Sequence, residues 1–319
     1  MSEQVTKESR SLTDAKPCIV CGGVLRDHCK LHRNGLVAHQ CDGCGTVFIA
    51  NSPINAGNIG EFYSMAAYRG ERDLQDTNLY SGYYDNCFLG YDSNDLSIRQ
   101  FRDIVETIRK LIGETSAAPS LLDVGCATGV FLDLARNAGF AVWGIEVSPE
   151  LAEYARNNFK LDVKDNLLSA GFPAASFDAI TLNDVIEHLP RSILQPMAEE
   201  IARLLRPGGI LVIRTPGEDG LLRWVAKTIY FASFKTIEAP MHLFYSFEHL
   251  ITFTPQALIL LFGPHGLSPV ARHREEENPL RLNLGFLGRT VLRISYLISA
   301  MVNREHKIVL FFKKPVDSV

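Results

Sequence analysis

The chain has 319 residues, 46% hydrophobic and 21% charged, a composition typical of globular proteins that bury a sizeable core. Its formal net charge of −4 and sequence pI of about 6.2 argue against the basic surface that a nucleic-acid partner usually requires.

The N-terminal residues 1–16 are polar and mixed in charge, and we interpret them as a flexible N-terminus without the apolar core of a signal peptide. The seven cysteines are an odd number, which favours a reducing cytoplasmic location over a set of disulfides. The longest uncharged run, residues 250–271, contains three prolines and two glycines, so we predict no transmembrane segment.

Four cysteines lie in two pairs near the N-terminus, and residues 17–50 are interpreted as a zinc ribbon. Each pair has the two-residue spacing of a zinc site, and a glycine follows each pair. Asn34 and Gly35, between the pairs, predict a hairpin turn. The predicted structural Zn²⁺ ligands are Cys18, Cys21, Cys41 and Cys44. Because four thiolates complete a tetrahedral shell, we expect the nearby His28, His32 and His39 to be surface residues.

Residues 51–94 form a tyrosine-rich segment that we interpret as a lid or linker. Disordered linkers are usually poor in aromatic residues, so this segment is expected to pack over the following domain. The tyrosines that could cover a cofactor and substrate, or serve only in packing, are Tyr63, Tyr68, Tyr83 and Tyr84.

Strands and helices alternate from about residue 95, which predicts the parallel sheet of a doubly wound α/β domain over residues 95–319. Predicted strands are 120–124, 142–147, 162–164, 177–182, 210–215 and 308–312. Predicted helices are 95–112, 130–137, 149–158, 191–205, 221–232 and 255–262.

A small-residue turn after the first of these strands predicts a nucleoside site. The turn, Gly125 to Gly129, lets the backbone approach a ligand closely, and Glu146 follows 21 residues after Gly125 near the end of the next strand. Such a carboxylate can accept hydrogen bonds from a ribose diol. Taken alone, the turn is also compatible with NAD, although Val130 stands where a dinucleotide fingerprint needs its third glycine.

Three further motifs decide between the nucleosides: residues 173–178, residues 183–190 (Asn-Asp-Val-Ile-Glu-His-Leu-Pro) and residues 204–209 (Leu-Leu-Arg-Pro-Gly-Gly). With the turn and Glu146, their order resembles that of class I S-adenosylmethionine-dependent methyltransferases. The resemblance implies a Rossmann-like, seven-stranded sheet with its last strand antiparallel. It also implies that the cofactor is held by Asp123, Gly125, Cys126, Ala127, Gly129, Glu146, Val147, Ser148, Asp165, Asn166, Asn183 and Asp184.

Methyl transfer to a hydroxyl requires a base near the acceptor, and three residues are candidates. His188 follows the fourth strand at the edge where such sheets bind ligands. His242 and Tyr245 lie in the loop after the fifth strand, which faces the acceptor in the relatives that this chain resembles. Each of the three could instead be a helix-capping or packing residue.

The ribbon, the tyrosine-rich segment and the methyltransferase domain together resemble bacterial enzymes that methylate sugars and natural products. We therefore expect a small-molecule acceptor, most simply a hydroxyl of a sugar, glycan precursor or secondary metabolite. Three alternatives remain: a ribosomal-RNA base methyltransferase, a C-methyltransferase of a nucleotide-linked keto sugar, and a non-catalytic scaffold. The six Lys and Arg against five acidic residues in 1–60 give little support to RNA binding.

Two apolar stretches, residues 221–234 and 286–302, could contact a membrane surface peripherally. A core helix or a dimer surface is the competing interpretation, and the oligomeric state is left open.

Overall fold

The computed structural model describes residues 17–55, 57–62, 96–113, 118–277 and 285–316. Tyr63, Tyr68, Tyr83 and Tyr84 lie outside the described residues, so the lid stays a prediction. The strands are β1 Leu25–Lys30, β2 Val37–Cys41, β3 Val47–Ile49, β4 Ser120–Val124, β5 Ala141–Ile145, β6 Asp162–Lys164, β7 Phe177–Asn183, β8 Leu205–Pro216, β9 Ile251–Thr252, β10 Ser268–Glu275 and β11 Lys307–Lys313. The helices are α1 Ile59–Phe62, α2 Leu96–Ile112, α3 Val130–Asn137, α4 Pro149–Phe159, α5 Leu194–Leu204, α6 Leu221–Ala232, α7 Pro255–Phe262 and α8 Phe286–Met301.

Seven strands form one mixed sheet in the order β10-β11-β8-β7-β4-β5-β6. The five strands from β8 to β6 are parallel, and β11 runs antiparallel to both β8 and β10. The predicted seven-stranded sheet with an antiparallel last strand is therefore confirmed. β10 and β11 pair antiparallel, and α8 lies between them in the chain, so they are not a tight hairpin.

Helices cover both faces of this sheet, because adjacent residues of its buried strands point to opposite sides. Leu121 and Val212 pack with residues of α2, α3 and α4, whereas Leu122 and Ile213 pack with residues of α5 and α7. The chain is thus doubly wound, as the alternation of strands and helices predicted.

Some boundaries differ from the sequence prediction for local reasons. β5 ends at Ile145, so Glu146 lies just beyond the strand rather than within it. The predicted helix 191–205 begins with a separate 3₁₀ turn, Arg191–Ile193, and α5 starts only at Leu194. Pro196 then falls in the first turn of α5, where its missing N–H costs no intrahelical hydrogen bond.

A second, four-stranded antiparallel sheet has the order β1-β2-β3-β9. The turn between β1 and β2 contains the predicted Asn34–Gly35 pair, with Gly35 at φ 73°. The fourth strand, β9, comes from the chain after β8 and pairs with β3. Because β9 belongs to the methyltransferase part of the sequence, the N-terminal sheet is completed by the domain on which it packs.

Helices α6 and α8 contact each other and expose many large apolar side chains. In α8 only Ser299 is buried, so this segment is not a core helix. The most exposed apolar residues of these helices and their flanks are Phe234, Phe286, Leu287, Leu297 and Met301. No helix in the described part of the chain combines the length and apolar character needed to span a bilayer.

Candidate active site and cysteine cluster

The loop between β4 and α3 is held against the end of β5. The backbone N–H groups of Gly125 and Cys126 both donate to the carbonyl oxygen of Ile145, at 2.7 and 2.9 Å. Gly125, Ala127 and Gly129 have positive φ angles of 78°, 48° and 89°. A Cβ atom on Gly129 would lie 2.5 Å from Leu161 Cδ1 and would displace that side chain, in addition to the strain of the positive φ. The predicted close turn is present, with alanine in the left-handed conformation at its centre.

Glu146 is fixed by two backbone donors beside this loop. Its Oε2 accepts from the Ala127 N–H and its Oε1 from the Ser148 N–H, both at 2.8 Å. Burial raises the pKa of this carboxyl, whereas the backbone N–H groups act in the opposite direction. A carboxylate oxygen has two lone pairs, so each oxygen can still accept a hydrogen bond from a ligand hydroxyl.

Asp123 and Asn183 form a second polar pair at the same edge of the sheet. Asp123 Oδ1 accepts from the Thr181 hydroxyl at 2.6 Å and from Asn183 Nδ2 at 3.1 Å. Burial raises the pKa of Asp123 to about 7.

Two buried acceptor atoms flank the loop: Asn183 Oδ1 and Ser148 Oγ have no hydrogen-bond partner within the residues that the structure describes. Buried polar atoms are normally satisfied, so both atoms are available to a polar ligand or an ordered water.

The remaining predicted cofactor residues occupy different surroundings. Cys126 is buried, and Val147 is 40% exposed. Asp165 and Asn166 are both exposed: Asp165 pairs with Arg156 at 3.1 Å, and Asn166 Oδ1 accepts from the Leu168 N–H. Asp184 accepts hydrogen bonds from Arg214 and, at 3.0 Å, from Lys307 Nζ. Asp184 thus already pairs with two basic side chains.

The structure divides the three predicted catalytic residues between two places. His188 ends the 3₁₀ turn Ile186–His188 that follows β7, with Nδ1 2.9 Å from the carbonyl oxygen of Glu248 and its ring packed against His249. Burial lowers its pKa. His242 Nε2 is 3.6 Å from Glu238 Oε2. His188 is therefore at the expected sheet edge, whereas His242 pairs with an acidic residue of its own loop.

Tyr245 is 2% exposed and belongs to a buried network between the N-terminal sheet and the loop after β8. Its hydroxyl donates to Glu218 Oε1 at 2.7 Å, and His28 Nε2 lies 3.2 Å from the same hydroxyl oxygen. Burial raises the pKa of Tyr245 and lowers that of His28 to about 4. The expectation that His28 is a surface residue is wrong, because its ring fills the space beside Phe231 and Tyr245.

Sequence reasoning missed several polar residues of the site and the adjoining buried network, because no local pattern marks them. Glu218 and His249 belong to no motif, and Thr181 lies inside an apolar strand. The available sequence signal was the adjacent pair Glu187 and His188. An acidic and an imidazole side chain that follow each other after a strand can bind the same ligand, so the two could have been considered together.

The four predicted ligand cysteines come together at the start of the N-terminal sheet. Their sulfur atoms lie within 4.8 Å of one another, with Cys18 and Cys44 at 3.7 Å and Cys21 and Cys41 at 3.4 Å. Zinc–sulfur bonds of about 2.3 Å place tetrahedral sulfur ligands about 3.8 Å apart, so the cluster fits Zn²⁺. A Cβ on Gly23 would lie 2.9 Å from Cys41 Sγ, which explains the glycine at this position after the first cysteine pair.

Comparison with known proteins identifies the family. The profile of the family Methyltransf_23, described as a methyltransferase domain, matches residues 96–271, more than half of the chain. The chain belongs to this family. The match contains the loop, Glu146, Asn183 and His188, and the chain carries a class I S-adenosylmethionine-dependent methyltransferase domain, as its motifs predicted.

Three related methyltransferases align with parts of this domain. A demethylmenaquinone methyltransferase of Tropheryma whipplei is 36% identical over 108 residues, 33% of this chain and 44% of the relative. A ubiquinone biosynthesis O-methyltransferase of Xanthomonas oryzae is 33% identical over 108 residues, 31% of this chain and 44% of the relative. Methyltransferase GfsG of Streptomyces halstedii is 29% identical over 213 residues, 62% of this chain and 71% of the relative. The chain therefore spans less than half of the first two relatives.

A solved structure supports the fold. The 1,6-didemethyltoxoflavin-N1-methyltransferase of Burkholderia thailandensis, determined with S-adenosylhomocysteine, matches with a TM-score of 0.51. The match covers 87% of this chain and 99% of that protein at 16% sequence identity. At this identity the similarity shows the methyltransferase fold alone.

Proposed function

We propose that this protein transfers a methyl group from S-adenosylmethionine to a hydroxyl of a small molecule, such as a sugar, a glycan precursor or a secondary metabolite. The observation that carries the proposal is the Glu146 carboxylate, which two backbone N–H groups hold beside the β4–α3 loop. The names of the related enzymes, which include an O-methyltransferase of ubiquinone biosynthesis, support small-molecule chemistry.

Glu146 would hold the ribose hydroxyls of the cofactor, and the positive-φ loop would lie under its methionine part. Asn183 Oδ1 and Ser148 Oγ would find their missing partners on the bound cofactor. Val147, Asp165 and Asn166 remain candidates for contacts with the adenine. S-adenosylmethionine supplies a methyl carbon that its sulfonium already makes electrophilic, so the protein must mainly align the acceptor and remove its proton.

His188 is the residue that we place at the acceptor. Carbonyl oxygens only accept hydrogen bonds, so the contact with Glu248 assigns the proton to Nδ1 and makes Nε2 the basic nitrogen. His242 and Tyr245 are weaker candidates, because Tyr245 is a buried donor to Glu218 and His242 pairs with Glu238.

The four cysteines would bind one structural Zn²⁺. A ribbon of this size has little core of its own, so the ion would supply much of its folding free energy. Elemental analysis of the full chain beside a Cys41→Ser variant tests this assignment, and equal zinc in both would contradict it.

Calorimetric titration with S-adenosylmethionine tests the cofactor site. Glu146→Ala should weaken binding by about 100-fold, because it removes two charge-assisted hydrogen bonds. Glu153→Ala, an exposed carboxylate on α4, should bind like the parent. Equal affinity of Glu146→Ala and the parent would overturn the proposed site.

Mass spectrometry of reactions with a panel of hydroxylated quinols and nucleotide sugars tests the acceptor class. We expect one added methyl group on an oxygen of at least one member. Methylation of a keto-sugar carbon, or of ribosomal RNA alone, would contradict the hydroxyl assignment.

A further inference from the structure

Three ligating side chains converge beside the end of β7, outside the cysteine cluster. Glu187 and His188 come from the 3₁₀ turn that follows this strand, and His249 comes from the loop before β9. Their ligating atoms all lie within 4.8 Å of one another. Glu187 is buried and the two histidines are partly exposed, so the cluster has a closed side and an open side.

Within the described residues, Glu187 has no counterion. Its Oε2 accepts from the Thr215 hydroxyl at 2.9 Å, but its Oε1 is buried without a hydrogen-bond partner in the described ranges. The nearby basic side chains form ion pairs with other carboxylates. Arg214 pairs with Asp184 and Glu275, and Lys307 pairs with Asp184 and Glu277. Among the residues described, none forms an ion pair with Glu187. Burying a carboxylate without compensation costs several kcal/mol, so a positive ligand would stabilise this site.

His188 makes a hydrogen bond of the kind that metal-bound histidines make. Its Nδ1 donates to the carbonyl oxygen of Glu248, which leaves Nε2 as the basic nitrogen. Metal-binding histidines commonly donate the other ring N–H to a backbone carbonyl in this way.

The segment that carries His249 is also fixed. The Leu250 N–H donates to the Glu248 carbonyl, and the Leu250 carbonyl accepts from the Ile49 N–H of β3 at 2.9 Å. The next residues form β9 within the N-terminal sheet. The cysteine-bearing ribbon therefore positions one side of the cluster.

We propose that Glu187, His188 and His249 bind one divalent first-row transition-metal ion, separate from the ribbon zinc. Two imidazole nitrogens and one carboxylate oxygen suit such ions, and three protein ligands leave coordination positions open. Bonds of about 2.0–2.2 Å would bring neighbouring ligand atoms to roughly 3–3.6 Å, a modest contraction from the present spread.

One consequence rests on the proposed function. An acceptor hydroxyl that binds an open coordination position of the metal ion becomes more acidic. Its proton leaves to solvent, its oxygen bonds to the methyl carbon as the methyl–sulfur bond breaks, and S-adenosylhomocysteine leaves. His188 then acts through the ion rather than by taking the proton itself.

Mn²⁺ is the probe, because a hard ion does not compete for the four thiolates. Electron paramagnetic resonance of the full chain, with its ribbon zinc retained, should show one bound Mn²⁺ per chain, displaced by added Zn²⁺. His249→Ala and Glu187→Gln should each weaken Mn²⁺ binding by at least about 10-fold. His265→Ala, a histidine that contacts Gln195 instead, is the matched control and should bind normally.

Glu187→Gln retains an acceptor for Thr215 and the shape of the side chain, so it separates loss of a ligand from loss of fold. Absence of Mn²⁺ binding by the parent, or unchanged binding by Glu187→Gln, would overturn the proposal. Titration of the same samples with S-adenosylmethionine distinguishes the two hypotheses. Cofactor binding without Mn²⁺ binding overturns only the metal site, whereas Mn²⁺ binding without cofactor binding overturns only the proposed function.

Discussion

At the scale of single residues, the three buried acids at the sheet edge obtain their hydrogen bonds in different ways. Glu146 uses two backbone N–H groups, and Asp123 uses two side chains of β7. Glu187 uses one hydroxyl and keeps one oxygen without a partner in the part of the chain that is described. Backbone donors cannot move away, so Glu146 is the most rigidly placed of the three and the best suited to orient a cofactor.

Asp123→Asn should change how stability depends on pH. Burial raises the pKa of Asp123 from its ordinary 3.8 to about 7. Between these values the unfolded chain releases the proton and the folded chain keeps it, so the contribution of Asp123 to the free energy of unfolding falls as pH rises. Relative to Asp123→Asn, the parent's free energy of unfolding should fall by up to about 4 kcal/mol between about pH 4 and about pH 7.

Urea unfolding of both proteins across this range, without cofactor, measures the difference. Asp162→Asn, an exposed residue of β6, controls for the loss of one negative charge. A parent-minus-variant difference that stays constant with pH would contradict the prediction.

At the scale of elements, local sequence signals predicted most of the sheet and helices. Helices α3, α6 and α7 have the predicted ends, because glycine, a loop or a Thr254–Pro255 cap adjoins each. Thr254 accepts from the Ala257 N–H, as a capping residue should. β8 begins at Leu205, five residues earlier than predicted, because pairing with Phe177 of β7 extends it. That pairing depends on a partner strand and has no local signal.

Gly125→Ala should destabilise the loop beyond the ordinary cost of a positive φ. The added Cβ would lie 2.4 Å from Val185 Cγ2, whereas a Cβ on Gly171, at φ 67°, would meet nothing within 4 Å. Gly171→Ala therefore controls for the left-handed backbone, which costs about 1–2 kcal/mol. We expect Gly125→Ala to lower the free energy of unfolding by at least about 1 kcal/mol more than Gly171→Ala does. It should also bind S-adenosylmethionine more weakly.

Adding Val185→Ala to Gly125→Ala should restore part of the lost stability, because it removes the clashing methyl groups. Thermal unfolding and cofactor titration of the three variants measure both effects. Equal losses of stability in Gly125→Ala and Gly171→Ala would show that contact with Val185 is not the reason for glycine at position 125.

At the scale of the whole molecule, the N-terminal sheet and the methyltransferase sheet are joined by buried polar contacts and by β9. The motifs predicted each part separately, including the four cysteines and the cofactor loop. They could not predict the junction, because His28 and Tyr245 are 217 positions apart and each has an unremarkable local sequence. His28 was expected at the surface because four cysteines complete the zinc shell, and no motif gave His249 a role.

The junction itself can be tested with Tyr245→Phe. The Tyr245 hydroxyl donates to Glu218, whose carboxylate also contacts Arg223 and Lys227, and all of this lies between β1 and α6. Because burial raises the pKa of Tyr245, the hydroxyl remains a donor at neutral pH rather than a base. Its removal should lower the free energy of unfolding by about 1–3 kcal/mol and leave S-adenosylmethionine binding unchanged.

Tyr230→Phe is the matched control, because that hydroxyl makes a longer hydrogen bond of 3.3 Å to the Lys30 carbonyl in the same apolar cluster. We expect Tyr230→Phe to lower the free energy of unfolding, measured in urea, by less than Tyr245→Phe does. If Tyr245→Phe instead kept the parent's stability and lost about 100-fold in methyl transfer, Tyr245 would be a catalytic residue, and the buried network would not be what joins the two sheets.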